Sequence, residues 1–340
     1  MKALFIGGTG NISTAISSLA VKKGWEVYLL NRGNRTQKVP EGARVITADI
    51  NDEEKVLKLI AGMKFDAVAD FIAFSPSQIE RDIRLFSDKT SQFIFISSAS
   101  AYQKPLSHYN ITESTPLANP YWQYSRDKIA CEELLMNEYR KNRFPITIVR
   151  PSHTYDSGSI PLSIHGINGS WQVLDRMIKG KPVLVIGDGS SLWTVTHSSD
   201  FAKAFVGLLG NHAAIGESFH ITSDEVLTWD EIYDCIGAAL HVDVKKAHVS
   251  SEFLVACNPD NEGGLLGDKT NSVVFDNSKI KRLVPDYIAT MRFDQGVRLS
   301  VEYILSHPEL KIMDEEFDRF SDNIIAAQHE ALLFYKNLNN

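Results

Sequence analysis

The sequence predicts an α/β protein, a doubly wound parallel sheet joined to a smaller, interleaved, mostly helical domain. Three observations predict it. The first half of the chain alternates short apolar runs with longer amphipathic stretches, the pattern of strand, helix, strand. The runs are apolar at nearly every position, as in strands buried on both faces, where a half-solvated strand would alternate. After Arg150–Pro151 that rhythm gives way to a loop-rich stretch and then to mostly helical sequence.

Taken in order, strands are expected at Ala3–Ile6, Glu26–Leu30, Arg44–Thr47, Ala67–Phe71, Phe93–Ile96 and Ile146–Val149. The amphipathic stretches Ser13–Lys23, Glu53–Met63 and Pro76–Phe86 lie between them. Glycine, serine, proline and histidine thicken from Ser152 to Ser170, which reads as a substrate-facing loop region. A further strand at Pro182–Ile186 ends in the turn Gly187-Asp188-Gly189, and Asp200–Leu209 and Ser218–Thr222 read as helix and strand. Helices follow at Trp229–Leu240, Phe293–Leu305 and Glu315–Tyr335. The expected division is residues 1–151 and about 172–222 for the sheet domain. About 152–171 and 223–340 then form the substrate-binding domain. There are no internal repeats.

The chain has 340 residues, 44% hydrophobic and 23% charged, with a net charge of −7. That is ordinary globular composition. The acidic balance argues against a nucleic-acid or anionic-membrane partner held by general electrostatics. Cys131, Cys235 and Cys257 are far apart without metal-type spacing, which fits a reducing, cytoplasmic compartment. The apolar run after Met1–Lys2 is too short for a signal peptide or a membrane span. No metal is expected.

The first strand runs into Gly7-Gly8-Thr9-Gly10-Asn11-Ile12-Ser13 at the start of a helix. Glycine permits a turn with positive φ and close approach of a pyrophosphate, which the helix N-terminus attracts with free N–H groups. Gly7, Thr9, Gly10, Asn11 and Ile12 are therefore candidate dinucleotide contacts, in a Rossmann-type βαβ unit. Serine stands where the usual pattern has its third glycine. About twenty residues on, where an acid would bind the adenosine ribose, the chain has Asn31-Arg32. Asparagine does not repel a 2′-phosphate, and Arg32, with Arg35 nearby, can pair with one. The cofactor is thus NAD(P), with NADP(H) favoured over NAD(H). Asp49-Ile50 follows the third strand, either as an adenine contact or as a plain turn.

Tyr124 and Lys128 lie four apart at the start of an amphipathic stretch, on one helical face. Tyrosine, with a pKa near 10, is a poor base at neutral pH; an adjacent ammonium favours its phenolate. Upstream, the apolar strand Phe93–Ile96 ends in Ser97-Ser98-Ala99-Ser100-Ala101-Tyr102, placing hydroxyls at its carboxyl end, where open α/β sheets bind ligands.

The glycine turn, the serine-rich strand end, Tyr124-x-x-x-Lys128 and Val149-Arg150-Pro151 follow one another in the order of the extended short-chain dehydrogenases/reductases. The chain resembles their NAD-dependent epimerase/dehydratase group over about the first 220 residues, and more loosely thereafter. The resemblance implies that Tyr124 is the acid/base, Lys128 its activator and a ribose ligand, and Ser98 the substrate-binding hydroxyl. Ser100 and His153 would line the substrate site, and Trp193 would either stack on a sugar face there or pack in the core or rim. Trp193 stands where the family commonly has an arginine on the substrate diphosphate, which weighs against a nucleotide-sugar and towards a smaller sugar-like hydroxyl or carbonyl compound. Ala99-Ser100 occupies the place of the acidic pair that dehydratases use. The resemblance also implies a homodimer, although no feature of this chain singles out a face for it. The competing reading is a non-catalytic cofactor-sensing or RNA-binding protein on the same fold. Net acidity and the retained Tyr124 and Lys128 speak against it.

Overall fold

The computed structural model describes residues 1–338. These fold as two compact units. One comprises Met1–Thr154, Thr194–Asp224 and Val274–Met291; the other comprises Tyr155–Trp193, Glu225–Val273 and the chain from Arg292 onward.

The first unit is a seven-stranded parallel sheet. Its strands are β1 (Lys2–Ile6), β2 (Glu26–Asn31), β3 (Arg44–Thr47), β4 (Ala67–Asp70), β5 (Phe93–Ile96), β6 (Ile146–Pro151) and β7 (Ser218–Ile221). They lie in the order β7-β6-β5-β4-β1-β2-β3. In register, Ala3 stands beside Val27 on one side and Ala67 on the other. The strand order reverses between β1 and β4. That switch point opens a crevice at the carboxyl ends of the two strands, where sheets of this kind bind ligands.

Helices α1 (Asn11–Lys22), α2 (Glu53–Leu59), α3 (Pro76–Phe86), α4 (Gln123–Asn142) and α5 (Ser198–Leu208) belong to this unit. Successive strand residues point to opposite faces. Ala3 and Phe5 therefore join one core with Ile16 and Ala20 of α1 and with Phe201 and Phe205 of α5. Leu4 and Ile6 join the other, with Ile79 and Phe86 of α3 and Leu135 of α4. Burial on both faces is what the unbroken apolar runs predicted. Edge strand β3 departs from it, with three of its four residues exposed.

In the second unit, Val183–Ile186 forms the expected strand, but it pairs in parallel with Lys246–Val249. Residues 172–193, expected with the large sheet, therefore lie in the second unit. Conversely, Val274–Phe275, expected in the second domain, pairs in parallel with Asn110–Ile111 in the first. Periodicity tells which residues extend but not which partner they find, and both corrections come from that gap. The longer helices here are Trp171–Ile178, Trp229–Leu240, Phe293–Ser306 and Glu315–Leu338. Among the described residues, no helix is long and apolar enough to cross a membrane.

Candidate active site

At the carboxyl end of β1, Gly7 adopts φ +80°, the left-handed region. A Cβ there would stand 2.4 Å from Ile72 Cγ2, so the turn tolerates only glycine. Ser13 replaces the usual glycine by acting as a brace. Its Oγ accepts from the Gly10 N–H at 2.8 Å and donates to the Gly7 carbonyl at 2.7 Å. Asn11 and Ile12 open α1, and the N–H groups of that first turn have no acceptor within the helix.

A cavity of about 500 Å³ lies over this turn. Its walls include Gly7, Thr9, Gly10, Asn31, Arg32, Asp49 and Ile50, all expected from sequence. Asn31 Oδ1 closes a turn by accepting from the Gly33 N–H at 2.9 Å. Asp49 Oδ1 likewise accepts from the Asn51 N–H at 2.9 Å. Arg32 and Arg35 are exposed on the same wall. A glycine turn that a Cβ would fill, a helix start and a polar cavity of this size fit a dinucleotide.

Asn34, Asn51, Gln78 and Arg81 also line the cavity and were not expected. Arg81 is buried, pairs with Asp82 at 2.7 Å and Asp70 at 3.3 Å, and donates to Asn51 Oδ1 at 2.8 Å. Burial, and Asp70 beside it, push the Asp82 carboxyl up. Asp70 Oδ1 in turn accepts the backbone N–H groups of Ile72 and Ala73, shaping the loop after β4. The signal in sequence was an arginine and an aspartate on the apolar side of an amphipathic helix.

Along the crevice, the start of α4 carries Tyr124 and Lys128. Lys128 is 2% exposed. Its Nζ donates to the carbonyls of Ala73 and Ile96, both at 2.7 Å. It stands 4.5 Å from the Phe74 ring centre and 5.7 Å from that of Tyr124. Desolvation pulls its pKa down to about 8. The Tyr124 ring packs against Trp122 and Phe74, at 5.0 and 6.1 Å between centres. One lysine thus ties the ends of β4 and β5 to the helix that presents the tyrosine.

After β5, Ser98 caps the short turn Ala99–Ala101, its Oγ accepting from the Ser100 N–H at 3.2 Å. Ser98 is half-buried, whereas Ser100 is buried and lies between Ser98 and Ser125. Ser100 therefore stands behind the surface that it was expected to line. His153 is half-buried on the short strand His153–Tyr155.

For Trp193 the structure selects core packing over a place at the substrate. Trp193 is 2% exposed and stacked on Trp229, with ring centres 5.3 Å apart, so it offers no open face to a sugar. Arg150, in the Val-Arg-Pro motif, is likewise interior. Its guanidinium grips Glu132 bidentately at 2.9 and 2.6 Å, locking β6 to α4.

A family model for the NAD dependent epimerase/dehydratase family matches residues 3–222. The chain belongs to that family. The 2′-dehydrokanamycin reductase of Streptomyces kanamyceticus is 26% identical over 288 residues, 84% of this chain and 80% of that protein. The chloroplast stem-loop binding protein of 41 kDa b of Arabidopsis thaliana is 27% identical over 244 residues, 67% of this chain and 60% of that one. The Thermus thermophilus UDP-glucose 4-epimerase, solved in complex with NAD, superposes with a TM-score of 0.70 at 19% identity, covering 90% of this chain and 99% of that one.

In epimerase/dehydratase terms, the chain has the extended short-chain dehydrogenase/reductase architecture: a Rossmann sheet and an NAD-dependent oxidoreductase or epimerase type of enzyme. Among the described residues, no group of three or more His, Cys, Asp or Glu is placed to hold a metal ion.

Proposed function

We propose that this protein interconverts a ketone and a secondary alcohol on a sugar-like substrate without a nucleotide, using NADP(H) in preference to NAD(H). Bound in the cavity over Gly7–Ile12, the cofactor would supply or accept the hydride. The observation that carries the reading is Lys128: a buried ammonium fixed on two backbone carbonyls, one helical turn from Tyr124. A desolvated positive charge there favours the phenolate of Tyr124, so that the phenol can give its proton to a developing alkoxide and the phenolate can take one from an alcohol. Ser98 would hold the substrate oxygen beside it.

Arg32 and Arg35 support the cofactor preference. They stand on the wall of the cavity, beyond an asparagine that carries no charge to repel a 2′-phosphate. The substrate class rests on Trp193. Where relatives of this family commonly carry a cation for a diphosphate, this chain has a buried indole stacked on Trp229. A ketone on an uncharged or cationic sugar ring needs no such cation, and one relative is named for reducing a dehydro-aminoglycoside. Another is named for binding a stem-loop. The net charge of −7 and the buried Lys128 one helical turn from Tyr124 favour the enzyme here.

Calorimetric titration with NADPH and NADH tests the first half, with tighter NADPH binding expected. NADPH consumption against a panel of keto-sugars and dehydro-aminoglycosides tests the second, with Tyr124→Phe as control. Binding of neither cofactor, or equal turnover by Tyr124→Phe, would overturn the proposal.

A further inference from the structure

We infer that Ser125 and Ser100 form a one-way chain of hydroxyls that leaves Ser98 able only to donate, so that the site is built to grip a substrate oxygen that accepts. This rests on Ser98 being the substrate-facing hydroxyl of the proposed reaction.

The direction follows from satisfying each hydroxyl in turn. Ser125, fully buried near the start of α4, donates from Oγ to Ser100 Oγ at 2.7 Å. Ser100 is 3% exposed. Its oxygen already receives the Ser125 proton, so its own proton needs another acceptor. Among the described residues, the one hydroxyl partner left within reach is Ser98 Oγ, at 2.9 Å. Leaving a buried hydroxyl proton without an acceptor is costly, which selects donation from Ser100 to Ser98. Ser98 Oγ also receives the Ser100 N–H at 3.2 Å. A hydroxyl oxygen has two acceptor positions and one proton. Both positions on Ser98 are filled from Ser100, and only its proton is left to give.

Two neighbours hold the arrangement. Asn119 Nδ2 donates to the Ser100 carbonyl at 2.8 Å, fixing the turn that carries both serines. Ser125 directly follows Tyr124, so the same first turn of α4 presents the phenol and starts the chain. Hydrogen bonds in sequence polarise one another, which strengthens the final donor. A donor-only Ser98 suits a carbonyl oxygen that becomes an alkoxide. It also implies that the Tyr124 proton passes directly to the substrate oxygen, since Ser98 has no lone pair left to receive it. Ser125 and Ser100 are therefore positioning residues for Ser98.

Neutron diffraction from crystals exchanged into D₂O reads the direction without any substrate. The expected map has the Ser100 deuteron on the line to Ser98 and the Ser98 deuteron turned away from Ser100. A Ser98 deuteron pointing at Ser100 Oγ would overturn the inference, whatever the enzyme proves to reduce. Kinetics supply the second arm, with NADPH and a keto-sugar that the wild type consumes. Ser125→Ala is expected to lower kcat about 3- to 10-fold while the Kd for NADPH holds and the thermal midpoint falls by no more than one lost buried hydrogen bond accounts for. Unchanged kcat in Ser125→Ala, or a fall in kcat matched by losses of NADPH affinity and thermal stability, would also sink it. If no keto-sugar is consumed, the proposed reaction fails, and the neutron map still decides the direction of the chain.

Discussion

The two ends of the crevice use opposite electrostatic strategies. At the adenosine end, Arg32 and Arg35 stand exposed on the rim of a polar cavity. At the other end, Lys128 is 2% exposed and pinned to two carbonyls, and the serine chain behind Ser98 is closed off from water. Exposed charges are screened by solvent and salt, whereas a buried charge acts through a low dielectric and resists reorganisation. Under the proposed function, the difference means that one end recognises and releases a cofactor while the other holds a geometry through a reaction.

The largest effect is expected at Tyr124. Tyr124→Phe keeps the ring that packs on Trp122 and Phe74 and removes the hydroxyl proposed to donate the proton. General acid–base groups contribute roughly 10²–10⁴-fold, so kcat should fall by about that factor. NADPH affinity, measured by calorimetry, should stay within about twofold. A comparable loss of cofactor affinity would mean that the two ends are not separate devices.

Lys128→Met should lower kcat about 100-fold or more, and it also carries a signature in stability. The folded-state pKa of Lys128 is near 8, below the ordinary lysine value of 10.5. The folded protein therefore binds fewer protons than the unfolded chain between those two values, and stability contributed by this group rises with pH across that window. Relative to Lys128→Met, the wild type should gain roughly 3 kcal/mol in total between about pH 8 and pH 10.5. Parallel urea titrations of the two proteins across that range check it. A flat difference would show that Lys128 is not desolvated.

The adenosine end should respond more weakly, and in binding alone. Arg32→Ala is expected to weaken NADPH about 10-fold and NADH less than twofold, since a phosphate–guanidinium bond contributes about 1.5 kcal/mol. Because the pair is exposed, the NADPH preference should shrink as salt rises. A preference insensitive to salt would place the 2′-phosphate contact in a buried position that this wall does not provide.

Much of this contrast was legible in the sequence, and for a definite reason. The turn at Gly7–Ser13, the Tyr124–Lys128 spacing and the serines after Phe93–Ile96 are local patterns, and each is folded by its own few residues. Six of the seven sheet strands were delimited to within one residue, chiefly because burial on both faces leaves an unbroken apolar run. What escaped was long-range. The partner of Val183–Ile186, the return of Val274–Phe275 to the first unit and the burial of Trp193 against Trp229 depend on which distant segment arrives. Arg81 escaped because its partners Asp70 and Asn51 lie 11 and 30 residues away.

Ser13 gives the smallest expected effect and separates folding from binding within the turn itself. Its hydroxyl bridges the Gly10 N–H and the Gly7 carbonyl and is almost wholly buried. Ser13→Gly restores the residue usual at this position and removes both bonds, which should cost about 1–2 kcal/mol of stability. It also releases the Gly10 N–H, which can then point at a pyrophosphate. Thermal denaturation should therefore show a lower midpoint, while NADPH affinity holds or improves. If affinity falls together with stability, the serine brace is what shapes the phosphate site, and the adenosine end depends on built-in rigidity as much as the reaction end does.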